Sequence, residues 1–151
     1  MALLVPHEGD VQLLTDLMGG GTLENWQLCL FNSGLTPSET DSAATYTAHE
    51  TAFTNYTRKT LTRSVSASTW NTPVSQAPSG SPAWSSRNQV GHTQYGSNPQ
   101  SWTCGATGDT IYGYFILGAT SGKLICAEAF SIPRTLANGD TISLTPVFEN
   151  A

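Results

Sequence analysis

Ile111-Tyr-Gly-Tyr-Phe-Ile-Leu117, Gly118-Ala-Thr-Ser-Gly122, Lys123-Leu-Ile-Cys-Ala-Glu-Ala-Phe130, Ala137-Asn-Gly-Asp140 and Thr141-Ile-Ser-Leu-Thr-Pro-Val-Phe148 follow one another closely enough to decide the fold class. Apolar-rich runs rich in aromatic and β-branched residues, bounded by clusters of Gly, Asn, Asp and Pro, read as antiparallel strands joined by turns. In the last run Ile142, Leu144, Pro146 and Phe148 point one way and Thr141, Ser143 and Thr145 the other, the period of a half-buried strand. Pro133 interrupts the sequence between the second and third runs.

Working outward, Trp26-Gln-Leu-Cys-Leu-Phe31 has apolar residues on both faces, as expected of a strand buried on both sides or lying near a subunit contact. Asn32 to Thr45 reads as turn and loop. Tyr46 to Arg63 reads as one or two strands of poor alternation, and Ser64 to Trp70 as a further short strand. Asn71 to Gln100 holds Pro73, Pro78, Pro82 and Pro99 together with Trp84 and Tyr95. A loop of that length in a compact domain is functional or disordered. Its aromatics favour an ordered excursion, with a short strand around Trp84 to Val90. The count is about seven to nine short strands without alternating helices, which predicts an all-β, jelly-roll-like β-sandwich.

One helix is expected, over Gly9 to Met18, with Leu13, Leu14, Leu17 and Met18 on a stripe and Gly19-Gly20-Gly21 at its end. So short a helix is marginal alone, so the stripe docks either on its own sandwich or, through the glycine hinge, on a neighbouring subunit. The domain reading is therefore an N-terminal arm over 1–21 and a sandwich over 22–151 that includes the excursion 71–100.

The 151 residues suit one domain. Charged residues make up 11% of the chain and the net charge is −5. A phosphate-backbone partner needs clustered Lys and Arg, and the basic cluster is confined to Arg58, Lys59 and Arg63, so no nucleic-acid partner is expected. Met1-Ala-Leu-Leu-Val lacks the basic leader and length of a secretion signal. No run approaches the roughly 18 apolar residues of a membrane span. Cys29, Cys104 and Cys126 cannot all pair within one chain; Cys29 and Cys126 read as small buried hydrophobes.

The motifs that resemble chemical sites fail on spacing or composition. Gly118-Ala-Thr-Ser-Gly122-Lys123 resembles a phosphate-binding loop, but it has too few residues between the glycines, has Leu124 where Ser or Thr is needed and has no helix after it. A hairpin turn is expected there instead. His7, His49 and His92 have no ligand spacing, so no metal or other cofactor is expected. Glu128 lacks the second carboxylate that glycoside hydrolysis requires and is expected to pair with Arg134 or Arg63. Trp26, Trp70, Trp84 and Trp102 permit a carbohydrate-stacking surface but suit a core or subunit contact better.

Tyr112-Gly-Tyr-Phe115, the Gly118–Gly122 turn, Lys123-Leu-Ile-Cys-Ala-Glu-Ala-Phe130 and Arg134-Thr-Leu-Ala-Asn-Gly-Asp-Thr-Ile-Ser-Leu-Thr-Pro146 together resemble a family of small virion proteins of tailed phages of cyanobacteria and marine bacteria. The opening Met1-Ala-Leu-Leu-Val-Pro6 and the acidic Leu-Leu helix after it are similar to the same family. Where the family usually reads Leu-Trp-Ala-Glu-Arg-Phe, this chain has Ile125, Cys126 and Ala129 in place of the first, second and fifth residues. The likeness covers about the first twenty residues and the last fifty, and not the excursion. It implies a jelly-roll capsid cement (decoration) protein, made in the host cytoplasm and held on the outer surface of the virion capsid. The expected partners are the major capsid protein and further copies of itself, commonly as a homotrimer, with neither nucleic acid nor membrane bound. Expected capsid or subunit contacts are Leu3, Leu4, Val5, Leu13, Leu14 and Leu17 in the arm, with Trp26, Trp84 and Tyr95. A tail, baseplate or fibre part, possible glycan contacts included, is the alternative, and a small glycan-active enzyme is a third.

Overall fold

A computed structural model describes residues 4–19, 23–66, 68–76, 90–96 and 99–150, with backbone alone at 74–76, 90–92 and 148–150. The fold is mostly β, with antiparallel pairing between all its strands. Helix α1 (His7–Leu17) precedes strand β1 (Trp26–Phe31), and a one-turn helix α2 (Ala43–Thr47) follows it. Then come β2 (Lys59–Leu61), β3 (Val74–Gln76), β4 (Val90–Gln94), β5 (Gln100–Thr103), β6 (Asp109–Gly118), β7 (Leu124–Leu136), β8 (Thr141–Leu144) and β9 (Val147–Asn150). They form sheets of order β2-β1-β6-β7, β3-β4-β9 and β5-β8.

Strand β6, the first run of the deciding stretch, is central. It pairs with β1 from Trp26–Gly118 to Phe31–Gly113 and with β7 on its other side. Both faces of this sheet are covered, which accounts for the doubly apolar β1. On one face Leu28, Leu30, Tyr114 and Ile116 meet Trp70, Tyr95, Trp102 and Ile142 from the other strands and their flanks. On the other, Cys29, Phe31, Phe115 and Leu117 meet Tyr46 of α2, whose ring stacks on Phe115 at 5.4 Å. At Gly113 an added Cβ would stand 2.4 Å from the Phe31 ring, so only glycine lets that ring cross β6.

Several local expectations differ from what forms. Residues 33–42 are loop as expected, but Ala43–Thr47 form α2, and of Tyr46–Arg63 only Lys59–Leu61 is strand, β2. Tyr46 is buried by a helix rather than by strand alternation. Ser64 to Trp70 is not a strand. The Thr69 hydroxyl donates to the Ser64 carbonyl at 2.6 Å and the Ser68 amide donates to the Ser66 hydroxyl, and such local bonds compete with a sheet ladder. The final run is two strands, because the chain changes partner at Thr145-Pro146: β8 pairs with β5 and β9 with β4. Within the excursion β3 and β4 pair with each other; residues 77–89, with Trp84 and most of the strand expected there, lie outside the described residues. All three cysteines, Cys104 included, are buried and free.

Helix α1 begins two residues earlier than expected and lies on β7 through a glycine. A Cβ on Gly9 would stand 2.2 Å from the Ile125 carbonyl oxygen. Ile125 is the extra residue of a bulge, since Ile116 pairs with Cys126 and Leu117 with Leu124. Alanine favours a helix over glycine by about 1 kcal/mol, yet at position 9 it must lift the helix from the sheet. Gly9→Ala is therefore expected to lower stability by about 1–3 kcal/mol, the usual cost of overpacking. Chemical denaturation checks the loss, and hydrogen exchange should place it in α1.

Candidate interaction surface

Three carboxylates position the elements around α1. Glu8 Oε2 accepts the Ala43 amide at 2.9 Å and the Leu124 amide at 3.0 Å, while Oε1 meets Lys123 Nζ at 3.2 Å. One side chain thus ties α1 to the start of α2 and the start of β7. Burial pushes the Glu8 carboxyl up, but these amides and the Lys123 ammonium outweigh it and hold the pKa below the ordinary value. Asp16, at the other end of α1, accepts Gln12 Nε2 at 2.9 Å and forms an ion pair with Arg63. Glu24 explains the phosphate-loop look-alike: Thr120 and Ser121 amides donate to its Oε2 at 2.5 and 2.8 Å, and the Ser121 hydroxyl to Oε1 at 2.5 Å. The turn holds an anion after all, and that anion is the protein's own carboxylate. Burial pushes the Glu24 carboxyl up as well, and the donors of Ser121 and Thr120 bring it below its ordinary value.

With α1 held this way, the side that faces the sheet carries Gly9, Gln12, Leu13 and Asp16. Leu13 and Val5 are half-buried against the core. The opposite side presents Val11, Leu14 and Met18 at i, i+3 and i+7, with Leu17 beside them; Leu14 is 59% exposed, Leu17 79% and Met18 82%. The stripe expected from sequence therefore divides: Leu13 docks, while Leu14, Leu17 and Met18 remain in solvent. Leu4 forms an antiparallel bridge to Ala127 of β7, its amide and carbonyl bonding at 3.1 and 3.0 Å. Leu3 lies outside the described residues.

Next to the end of α1 is a shallow pocket of about 250 Å³ lined by Leu23, Trp26, Arg63, Val65, Trp70 and Pro73 among others. The Arg63 guanidinium lies 4.8 Å above the Trp26 ring, and Trp26 and Trp70 meet edge to face at 5.6 Å. Trp26 and Tyr95, expected at contacts, belong to the core cluster of the single chain, each only 6% exposed. The Tyr95 hydroxyl accepts the Thr62 amide at 3.1 Å, and its ring packs on Trp70. Trp84 lies outside the described residues. Leu23 and Val65, exposed at the pocket, had no periodic signal in the sequence that would mark them. Val11 did: it begins the 11–14–18 spacing that runs beside the 13–17 one.

A second concavity lies along the far half of β7. Because Ile111 pairs with Arg134 and Gly113 with Ala129, residues Phe130 to Pro133 leave the ladder. β7 and β8 then diverge into different sheets from the turn at 137–140. Between them is an open trough with lobes of about 540 and 260 Å³ that share Arg134, Ile142 and Ser143. Ile132 on its rim is 67% exposed. Glu128 does not take an arginine: it accepts the Tyr114 hydroxyl at 2.6 Å, and Arg63 is held by Asp16. Among the described residues no group of three or more His, Cys, Asp or Glu side chains is placed to hold a metal ion, and no helix is long and apolar enough to cross a membrane.

No protein-family model matches the chain, and no curated protein is similar to it at a significant level.

The depressed pKa of Glu8 sets a direction for acid. A carboxylate whose folded pKa is lowered contributes stability that is fully present above its unfolded value, about 4.3, and lost as the pH falls through the folded one. The protection factors of the α1 amides, taken against the intrinsic exchange rate at each pH, should be high at pH 7 and fall as the pH drops below about 4. In Glu8→Gln the α1 amides should exchange faster at pH 7 and change less on acidification.

Proposed function

We propose that this chain is a non-enzymatic structural protein of the phage capsid-cement type, built on a jelly-roll-like sandwich and bound to the outer surface of the major capsid protein shell. The observation that carries the reading is the outward apolar face of α1, continued at the neighbouring pocket by Leu23 and Val65. A soluble monomer rarely exposes a large contiguous apolar patch. A helix docked by Gly9, Leu13 and its polar side, with Leu14 and Leu17 outside, is arranged to contact something else. The resemblance of the arm and of residues 111–146 to small phage virion proteins supplies the kind of partner.

Mechanistically, such a protein staples a shell by covering apolar surface across the joints between capsid subunits. Each contact contributes about 25 cal/mol per Å² of apolar area, less the cost of association. Many copies then act together through avidity. The tight sheet beneath α1 serves this role by holding the contact face rigid, so that little ordering cost falls on binding.

Quantitative mass spectrometry of purified virions tests the reading: the chain should approach the major capsid protein in copy number. A count in the tens or fewer would instead support the tail, baseplate or fibre alternative. Leu23→Asp and Val65→Asp should each reduce co-sedimentation with shells stripped of the protein, while leaving its own thermal unfolding within about 0.5 kcal/mol of the unsubstituted chain, as for exposed sites.

A further inference from the structure

We propose that Asn138 is a guarded deamidation site: the Ala137–Asp140 turn keeps the Asn138-Gly139 bond from rearranging while β8 is paired with β5, and opening of the turn exposes it to an irreversible change. Ala137-Asn-Gly-Asp140 holds the sole Asn-Gly pair in the sequence. The turn closes through the Asp140 amide, which donates to the Ala137 carbonyl at 3.0 Å. Gly139, its third residue, has φ +89°, a conformation that residues with a Cβ disfavour.

The residue that the turn requires is also the one that makes the bond fragile. In deamidation the backbone nitrogen after an asparagine loses its proton and attacks the side-chain Cγ. A five-membered succinimide forms and ammonia leaves; water then opens either carbonyl, giving aspartate or isoaspartate. Glycine has no side chain to obstruct the attack, so Asn-Gly is the quickest such pair to react in a flexible chain. Asn138 is exposed, which leaves water and base free access to it.

Protection comes from the nitrogen. The Gly139 amide donates to the Cys104 carbonyl at 2.8 Å, and the Cys104 amide donates to the Asp140 carbonyl at 2.8 Å. These bonds continue the contact of β5 with β8 beyond Thr103–Thr141. Cys104 is 1% exposed, and the next amide, of Gly105, donates to the Thr54 carbonyl at 2.8 Å, so the accepting carbonyl is fixed. On the near side Asp140 Oδ2 accepts the Ala137 amide at 2.8 Å. To reach Cγ, the Gly139 nitrogen must give up its proton and its partner together, which takes local opening. The rate at Asn138 is then the unfolded-chain rate multiplied by the fraction of time the turn is open. Isoaspartate adds a methylene to the main chain at 138 and a carboxylate near Asp140, which moves Gly139 out of register with Cys104.

Peptide mapping by mass spectrometry, with isoaspartate detection, follows Asn138 in the full chain held in mildly alkaline buffer. Folded protein should deamidate there at least about tenfold more slowly than protein in denaturant, because a hydrogen-bonded turn opens rarely. Asp140→Ala removes the Ala137 acceptor. It should lower the protection factor of the Gly139 amide and quicken deamidation in the folded state, while leaving the denatured rate unchanged. Urea below the unfolding transition raises the open fraction of the unsubstituted chain, and there too deamidation should rise as Gly139 protection falls. Equal rates in folded and denatured protein, or lost Gly139 protection without faster deamidation, would overturn the proposal. So would an isoaspartate-bearing fraction that, on removal of denaturant, regains full protection of the Gly139 and Cys104 amides.

Discussion

The missing Cβ of Gly9 is the constraint on which the outer surface depends. Because the Ile125 carbonyl occupies the space a side chain would need, α1 approaches β7 by its backbone and is fixed in rotation about its own axis. That rotation turns Gln12, Leu13 and Asp16 inward and leaves Val11, Leu14, Leu17 and Met18 outside. A bulge in β7 provides the counterpart, since Ile125 lies outside the ladder with β6. The pairing of β6 with β7 therefore decides not only the core but which helix face meets solvent.

A chain with so few charges uses its acids as internal clamps. Glu8 joins three elements and Glu24 fills the turn after β6. Asp109 accepts Asn32 and Thr51 side chains at 2.9 and 2.5 Å and the Thr110 amide at 2.8 Å. Glu50 accepts the Tyr56 hydroxyl and grips Arg58 through two donors, while Tyr56 accepts the Leu30 amide at 3.1 Å. Strand β2 pairs with β1 only as far as Leu28. The segment from His49 to Tyr56 thus supplies the hydrogen bonds that β1 would otherwise lack beyond it. Backbone groups at turns and strand ends must find partners, and here carboxylates and hydroxyls provide many of them. Glu8, Asp16, Glu24, Glu50 and Asp109 thus direct their charge at donors within the molecule.

The fold class was legible because the strands nearest the core alternate or run continuously apolar in the expected way. β1, β6 and the first half of β7 lie where Trp26–Phe31, Ile111–Leu117 and Lys123–Phe130 place them. What was not legible depends on contacts distant in sequence. Tyr46 reads as a strand residue until Phe115 is brought beneath it. Pro146 reads as a continuing strand position until β8 and β9 take different partners. The Gly118–Gly122 turn was correctly read as a hairpin corner, but nothing local announces that Glu24 enters it. On the surface, the stripe of α1 was visible and its division was not, because an inward spacing of Gly9, Leu13 and Asp16 and an outward one of Val11, Leu14 and Met18 share one helix. Gly9 is the residue that chooses between them, and a single glycine reveals its neighbour only in three dimensions.

Hydroxyl-radical footprinting of the free monomer and of the assembled particle tests most directly that this helix is docked on its own sheet and bound to a partner by its outer face. The account predicts that Leu14, Leu17 and Met18 are strongly modified in the monomer and protected in the particle, while Leu13 is protected in both. Equal protection of Leu13 and Leu14 in the monomer, or equal modification of Met18 in the two states, would contradict it.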